Sequence, residues 1–503
     1  MKISYWGFAT LALPLFTIAC QEEVKKEITW LVPYEKNRNE FLIYNHLANE
    51  YNQNNKNQFK VNVIPANNRS MLYNQISLGL SSKDKELPNL LLYYPSLVKQ
   101  IYKYDQILKL DKSIIKEASI NENLLINNQS VLGIKDKDNI YTLPLSLSVD
   151  SLAINKNILG KVLFSINKAI KENDLKDFYY LDDKKDISIF KDSLQHYLNN
   201  KKDDNYYQID LNYLKTLNKS WSNELFKTNE GLIKISQDIA KLVNKQIKDN
   251  NQSIYFINHP TNFIYSLMFQ KANNNYSNYF LKVDYKTSNI DYKNVFNEKT
   301  IYNKNFNWIY NLIANGLENN WIDFYDRNDY YSNQSDNKLF ALISSHFWYL
   351  DINKKLNKDG FIFLNAPFYL DKHQLENKNG SYLSQGQNII AIKKNNIQDQ
   401  ITNDFIKWIY KYKIDDLNNK LGYISPVNIN KHGSNLKDIN KKLYYEIYYK
   451  NLVNFAEPVD SQSDKLRNTI QDIIIKYVYR EYKKDYNLKS KQYIVDRILQ
   501  LID

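Results

Sequence analysis

The sequence predicts an α/β fold built around an open parallel sheet. Strand-like and helix-like stretches alternate over residues 28–104, as in βαβ units. Residues Asn89 to Tyr94 form a continuous apolar run, the pattern of a strand buried on both faces. The chain has 503 residues with 43% hydrophobic and 24% charged side chains, which is globular composition and enough length for about two to four domains.

In chain order, Ile28–Val32 is a short apolar strand that stops at Pro33. Residues 39–54 read as a helix, with Phe41, Ile43, Leu47 and Tyr51 set among polar residues. Residues 59–64 alternate as a strand, and 70–81 read as a helix with Ser70 at its N-cap. The apolar run at 89–94 leads into a helix over 96–104. Residues 140–155 alternate for too long to be one buried strand and suit an extended crossing segment. Residues 161–250, dense in Lys, Asn and Asp, predict an elaborated helical region. Further helices or strand–helix junctions are expected at 253–270 and 304–317. Residues 338–350 read as a strand followed by an aromatic turn, 360–368 as a strand ending in a turn at Pro367, and 379–393 as a stretch with two glycines and then a strand; helices are expected at 398–412 and within 464–501.

Composition excludes several chemistries. No two of the 11 glycines are spaced for G-x-G or for a G-x-x-x-x-G-K phosphate loop. One cysteine excludes intrachain disulfides and CxxC zinc sites, and the six histidines are too scattered for H-E-x-x-H. No cofactor or metal is expected. The net charge of +12 comes from lysines mixed with Asp and Glu along the whole chain, not from a basic stripe, so no specific nucleic acid is expected.

The first twenty residues run Lys2, an apolar stretch to Ala19, then Cys20, followed at once by polar Gln21-Glu22-Glu23. Thr17-Ile18-Ala19-Cys20 resembles the lipobox of bacterial lipoproteins, with Thr17 where Leu is usual. The resemblance implies a signal peptide at 1–19, lipid on Cys20 and a tether over 20–27. Two acyl chains suffice for stable anchoring on the outer face of the cytoplasmic membrane.

Seven segments, in order, resemble the family 1 extracellular solute-binding proteins of bacterial ABC importers, the maltose- and glycerol-phosphate-binding class. They are Ile28–Val32 with its following helix, Leu87–Leu92, Tyr141–Ser146 with Leu152–Lys156, residues 338–351 with Ala366-Pro367-Phe368, residues 380–392 with Ile406–Ile409, Gly422–Val427, and Leu452–Pro458, where Glu457 stands in the usual place of Arg. The resemblance implies a two-lobed periplasmic-binding-protein-like (type 2) fold with hinge crossings. One lobe would hold 28–147 with 388–435, the other 148–387 with 436–503. It also implies a non-enzymatic protein that captures a carbohydrate or glycerol-phosphate-like solute by hinge closure and passes it to ABC permease subunits. A surface lipoprotein of the same fold acting as an adhesin or host-interaction factor is the alternative.

Ligands of open α/β sheets bind beyond the carboxyl ends of the strands. Candidate ligand-binding residues at such ends are Tyr34, Arg69, Tyr94, Ser96, His346, Phe347 and Trp348, joined by Asp150, Tyr382, Gln385 and Gln387. Tyr94, Tyr382, Trp348 and Trp321 either stack on a sugar ring or fill core. Arg69 either meets a ligand carboxylate or phosphate or is a solvated charge. Asp150 either accepts bonds from ligand hydroxyls or sits in a hydrogen-bonded hinge. His346 is either a donor to ligand or a satisfied structural histidine. Gln385 and Gln387 flank Gly386, where backbone either approaches ligand closely or makes a plain turn.

Overall fold

The structure, a computed structural model, describes residues 27–55, 59–134, 138–175, 178–201, 206–243, 246–249, 252–284, 286, 288–324, 337–344, 358–427 and 452–478. In chain order the strands are β1 (Glu27–Val32), β2 (Lys60–Pro65), β3 (Leu90–Tyr93), β4 (Thr142–Ser148), β5 (Asp150–Asn155), β6 (Ser253–Ile257), β7 (Lys282–Asp284) and β8 (Asn289–Asp291). They continue as β9 (Ile322–Phe324), β10 (Lys338–Ser344), β11 (Phe361–Asn365), β12 (Ser381–Leu383), β13 (Gln385–Ala391) and β14 (Val453–Phe455). Two five-stranded sheets organise two lobes, one ordered β2-β1-β3-β13-β4 and the other β11-β5-β10-β6-β9.

The first sheet alternates as its sequence dictates. Ile28, Trp30 and Val32 of β1 pack on one face with helix α1 (Asn39–Asn54) and helix Asn396–Trp408. Leu31, Leu91 and Tyr93 pack on the other with α2 (Arg69–Ser82) and α3 (Ser96–Lys103). Covering both faces is why Leu90, Leu91 and Leu92 are all fully buried. Asn68, rather than Ser70, caps α2: its side chain accepts from the Met71 N–H at 2.9 Å.

The expectation of a purely parallel sheet needs correction. β1, β2 and β3 pair in parallel, but β13 returns antiparallel to β3 and separates it from β4. Residues 140–155 are likewise not one half-exposed crossing strand. They are β4 and β5, in different sheets, meeting at Val149, and every residue of β4 is buried. Donors reach its carbonyls from the helical layer: Tyr410 Oη donates to Pro144 O at 2.7 Å and Asn418 Nδ2 to Leu145 O at 2.9 Å. Leu147, Val149, Phe368 and Ile424 form a small apolar cluster around this crossing.

The second sheet is backed by the region expected to be helical, including helices Lys156–Glu172, Ser188–Asn200 and Asn229–Val243. Trp221 is its fully buried anchor. The indole packs against Tyr180 and Phe190 and donates to Asp238 Oδ2 at 3.0 Å. Residues 253–270 are a strand–helix junction, β6 followed by helix Pro260–Lys271, and 304–317 lie within helix Ile301–Glu318.

The last described segment ties the lobes together. Val459 bonds both ways with the first lobe: Leu132 N–H donates to its carbonyl at 2.9 Å and its own N–H donates to Ser130 O at 3.1 Å. Asp460 accepts from Tyr292 Oη at 2.8 Å and from the Ile290 N–H at 3.0 Å, in the second lobe. On helix Ser463–Val478, Asp464 then reaches back to the first lobe, accepting from Tyr93 Oη at 3.1 Å and Ser96 Oγ at 3.3 Å.

Candidate functional site

Both sheets aim the carboxyl ends of their strands at one cleft. Arg69 follows β2 and opens α2, Tyr94 follows β3, His259 and Asn262 follow β6, and Ser344 ends β10. Together with Gln385 and Gly386 of β13 they line a cavity of about 110 Å³ between the lobes. Glu457 and Arg467 of the C-terminal tie also line it. This is the position the general rule for open α/β sheets assigns to a ligand.

Tyr94 sits at the centre of the electrostatics. The Arg69 guanidinium lies 4.2 Å from its ring centroid and donates to its hydroxyl. The Arg467 guanidinium lies 5.2 Å from the same ring. Arg467 also donates to Glu457 Oε2 at 2.8 Å and to Asn262 Oδ1, so it is held from three sides. Burial raises the Glu457 carboxyl above the usual carboxylate range, against the attraction of Arg467.

Under this floor lies a buried hydrogen-bonded group. Gln387 is 3% exposed. Its Oε1 accepts from Tyr44 Oη at 2.5 Å, while its Nε2 donates to Tyr34 Oη and, at 3.3 Å, to Tyr423 Oη. Burial pushes the Tyr34 hydroxyl up to about 12, so it stays a neutral donor–acceptor. Tyr34 and Gln387 therefore support the cleft from beneath and are not among its lining residues. Ser96 is also turned away, onto Asp464.

Asp150 and Tyr382 line a second, smaller cavity of about 40 Å³ beside the β4–β5 crossing, and Gln385 is shared between the two cavities. Gln385 Nε2 donates to Asp150 Oδ2 at 2.7 Å. Burial raises the Asp150 carboxyl from 3.8 to about 6, opposed by that hydrogen bond and by Arg467. The folded protein thus binds this proton more tightly than the unfolded chain. The stability tied to Asp150 is greatest at low pH, falls as pH rises from 3.8 through about 6, and is level above. Comparing wild type with Asp150→Asn by urea unfolding at pH 4.5 and 7.5 is expected to show wild type losing ground to the variant as pH rises. Parallel pH profiles would refute the assignment.

Arg69, Tyr94 and Gln385 are thus brought together in the cleft, with Asp150 and Tyr382 next door. His346, Phe347, Trp348 and Cys20 lie outside the described residues. The sequence reading missed Asn262, His259 and Arg467. The first two follow β6, and a strict search of every strand end would have found them. Arg467 lies inside a helix ten residues from Glu457, and no local spacing marks it. Among the described residues no cluster of three or more metal-ligating side chains occurs, and no helix is long and apolar enough to cross a membrane.

A family model described as the Mycoplasma MG185/MG260 protein, Lipoprotein_X, matches residues 205–350, largely the second lobe. An uncharacterized lipoprotein of Mycoplasma pneumoniae is 29% identical over 171 residues, a match covering 33% of this chain and only 22% of that relative. Among solved structures, the GacH receptor of Streptomyces glaucescens, studied unliganded and with acarbose, aligns with a TM-score of 0.56 at 11% identity, covering 94% of this chain and 98% of that one. An ABC transporter solute-binding protein of Thermotoga lettingae bound with α-D-tagatose aligns with a TM-score of 0.55 at 11% identity, covering 95% of this chain and 100% of that one. The chain has the two-lobed α/β fold of these solute-binding proteins.

Proposed function

We propose that this protein is an extracytoplasmic solute receptor, anchored by lipid on Cys20, that captures a carbohydrate or glycerol-phosphate-like solute and delivers it to the permease of an ABC importer. One observation carries the reading: polar and aromatic side chains from the strand ends of both lobes converge on a single inter-lobe cavity. A solute held there touches both lobes at once, so its binding energy favours the closed arrangement over the open one. The structural neighbours whose names record acarbose and tagatose support the solute class. The lipoprotein relative supports the anchor. A cleft furnished with polar groups on both walls favours solute capture over an adhesin role, which needs no such interior.

The test is a thermal-shift screen of the purified protein against sugars, polyols, glycerophosphodiesters and short peptides. A solute at 100 times its Kd adds about 2.7 kcal/mol of stability, a clearly readable shift. Stabilisation by one chemical class is the expected result, and silence from well-folded protein would count against the reading. Tyr94→Ala removes the ring that both guanidiniums pack on. It is expected to weaken binding of the stabilising solute about tenfold or more while the protein stays folded. Wild-type affinity in the variant would move the site elsewhere.

A further inference from the structure

We propose that the cleft selects an oxyanion-bearing solute, a sugar or polyol carrying phosphate or carboxylate, with Arg69 as the anchor for the anion. The proposal rests on the solute-receptor reading and names the substrate class of that same site. Among the described residues three charged side chains line the cavity: Arg69, Arg467 and Glu457. Arg467 and Glu457 neutralise one another at 2.8 Å. Among the described residues Arg69 has no carboxylate within ion-pair distance. It donates instead to the hydroxyl oxygen of Tyr94, above whose ring it lies. The lining therefore keeps one uncompensated, always-charged guanidinium.

A partly desolvated cation without a counter-ion is costly, and a ligand oxyanion supplies the missing charge. The guanidinium fork matches two oxygens of a phosphate or carboxylate at once. Arg69 is also the first residue of the fourteen-residue helix α2, whose positive end adds to the field an anion meets. A second, independent feature faces the same space. Ser344, from the other lobe, is only 7% exposed, and its hydroxyl has no hydrogen-bond partner among the described residues. A bound solute would give that hydroxyl the partner it lacks, and the anion and Ser344 would then join the two lobes through one molecule. A neutral sugar would leave Arg69 uncompensated.

The test is calorimetric titration of the purified protein with glycerol 3-phosphate, glucose 6-phosphate and glucuronate, and with the neutral glycerol, glucose and maltose. It is repeated on R69Q and R69K. Binding is expected only from the anions. It should weaken with added salt, fall about 30-fold or more in R69Q, and be partly kept in R69K. The phosphates and glucuronate separate the two oxyanion chemistries. Neutral-sugar binding that R69Q leaves unchanged overturns the anion proposal and leaves the receptor reading standing. Anion binding that R69Q leaves unchanged removes Arg69 as the anchor. Absence of heat from the whole panel overturns the proposal and the receptor reading together. If R69Q fails to melt cooperatively, R69K and the salt dependence of wild type carry the test.

Discussion

Gly386→Ala is expected to destabilise the protein by about 3 kcal/mol or more, a large part of the roughly 5–15 kcal/mol that holds a domain folded. Gly386 lies in β13, paired with Leu147 of β4, at a φ of 125°, which side-chain-bearing residues rarely adopt. A Cβ there would fall 1.9 Å from Ser146 O and 2.9 Å from Leu147 Cα, both backbone atoms that cannot rotate away. The register slips one residue further on, between Gln387 and Asn388, so this is where β13 bends past β4 into the cleft. Relief requires β13 and β4 to part, which would displace Gln385 and the Gln387 hydrogen bonds together. The midpoint of urea unfolding checks the effect. A near-wild-type midpoint would mean the strand pairing is not as described.

Arg467→Met is expected to cost about 2–3 kcal/mol at pH 7, at the low end for a buried pair because both partners keep some exposure. The Arg467 and Glu457 side chains are each 18% exposed. Met keeps much of the volume but strands Glu457, whose carboxyl burial already raises, and frees Asn262. Without Arg467 to oppose burial, Glu457 binds its proton still more tightly in the folded variant. The variant's stability therefore declines over a wider pH range, up to that higher value, than wild type's, where Arg467 limits the rise. The stability gap should be smaller at pH 5 than at pH 7. A gap independent of pH would place the loss in packing against Tyr94 and Tyr265 instead of in the stranded charge.

How far the sequence could be read follows from which interactions are local. Leu90–Leu92 and the alternation of β2 report burial directly, because strand periodicity is set by neighbours in the chain. The entry of β13 between β3 and β4 joins residues about 240 to 300 apart in sequence, and no local pattern marks it. The same holds for Gly386. Its neighbours leave open either backbone approaching a ligand or a plain turn; Gly386 does line the cleft, but the atom closest to a Cβ there is Ser146 O of the adjacent strand. Arg69 and Tyr94 were readable because they sit at strand ends, where this architecture puts ligands. Ser96, two residues beyond Tyr94, satisfies the same rule in sequence, but the first turn of α3 directs its hydroxyl to Asp464, a residue whose proximity only the folded C-terminal segment creates. The Glu457–Arg467 pair shows the same limit, since its partners meet only after the chain has turned into helix Ser463–Val478.

Capture as proposed requires that a solute bound between the lobes draw them together, and the inter-lobe distance reports that movement. A Cys20→Ser background removes the one native cysteine. Spin labels at Asn74→Cys on α2 and Lys191→Cys on helix Ser188–Asn200 then report one exposed position on each lobe. With the solute that gives the largest thermal shift, the distance distribution is expected to move to a second, discrete population in wild type and to stay in place in Arg69→Gln. A distribution unchanged by every solute would contradict hinge closure around a bound solute.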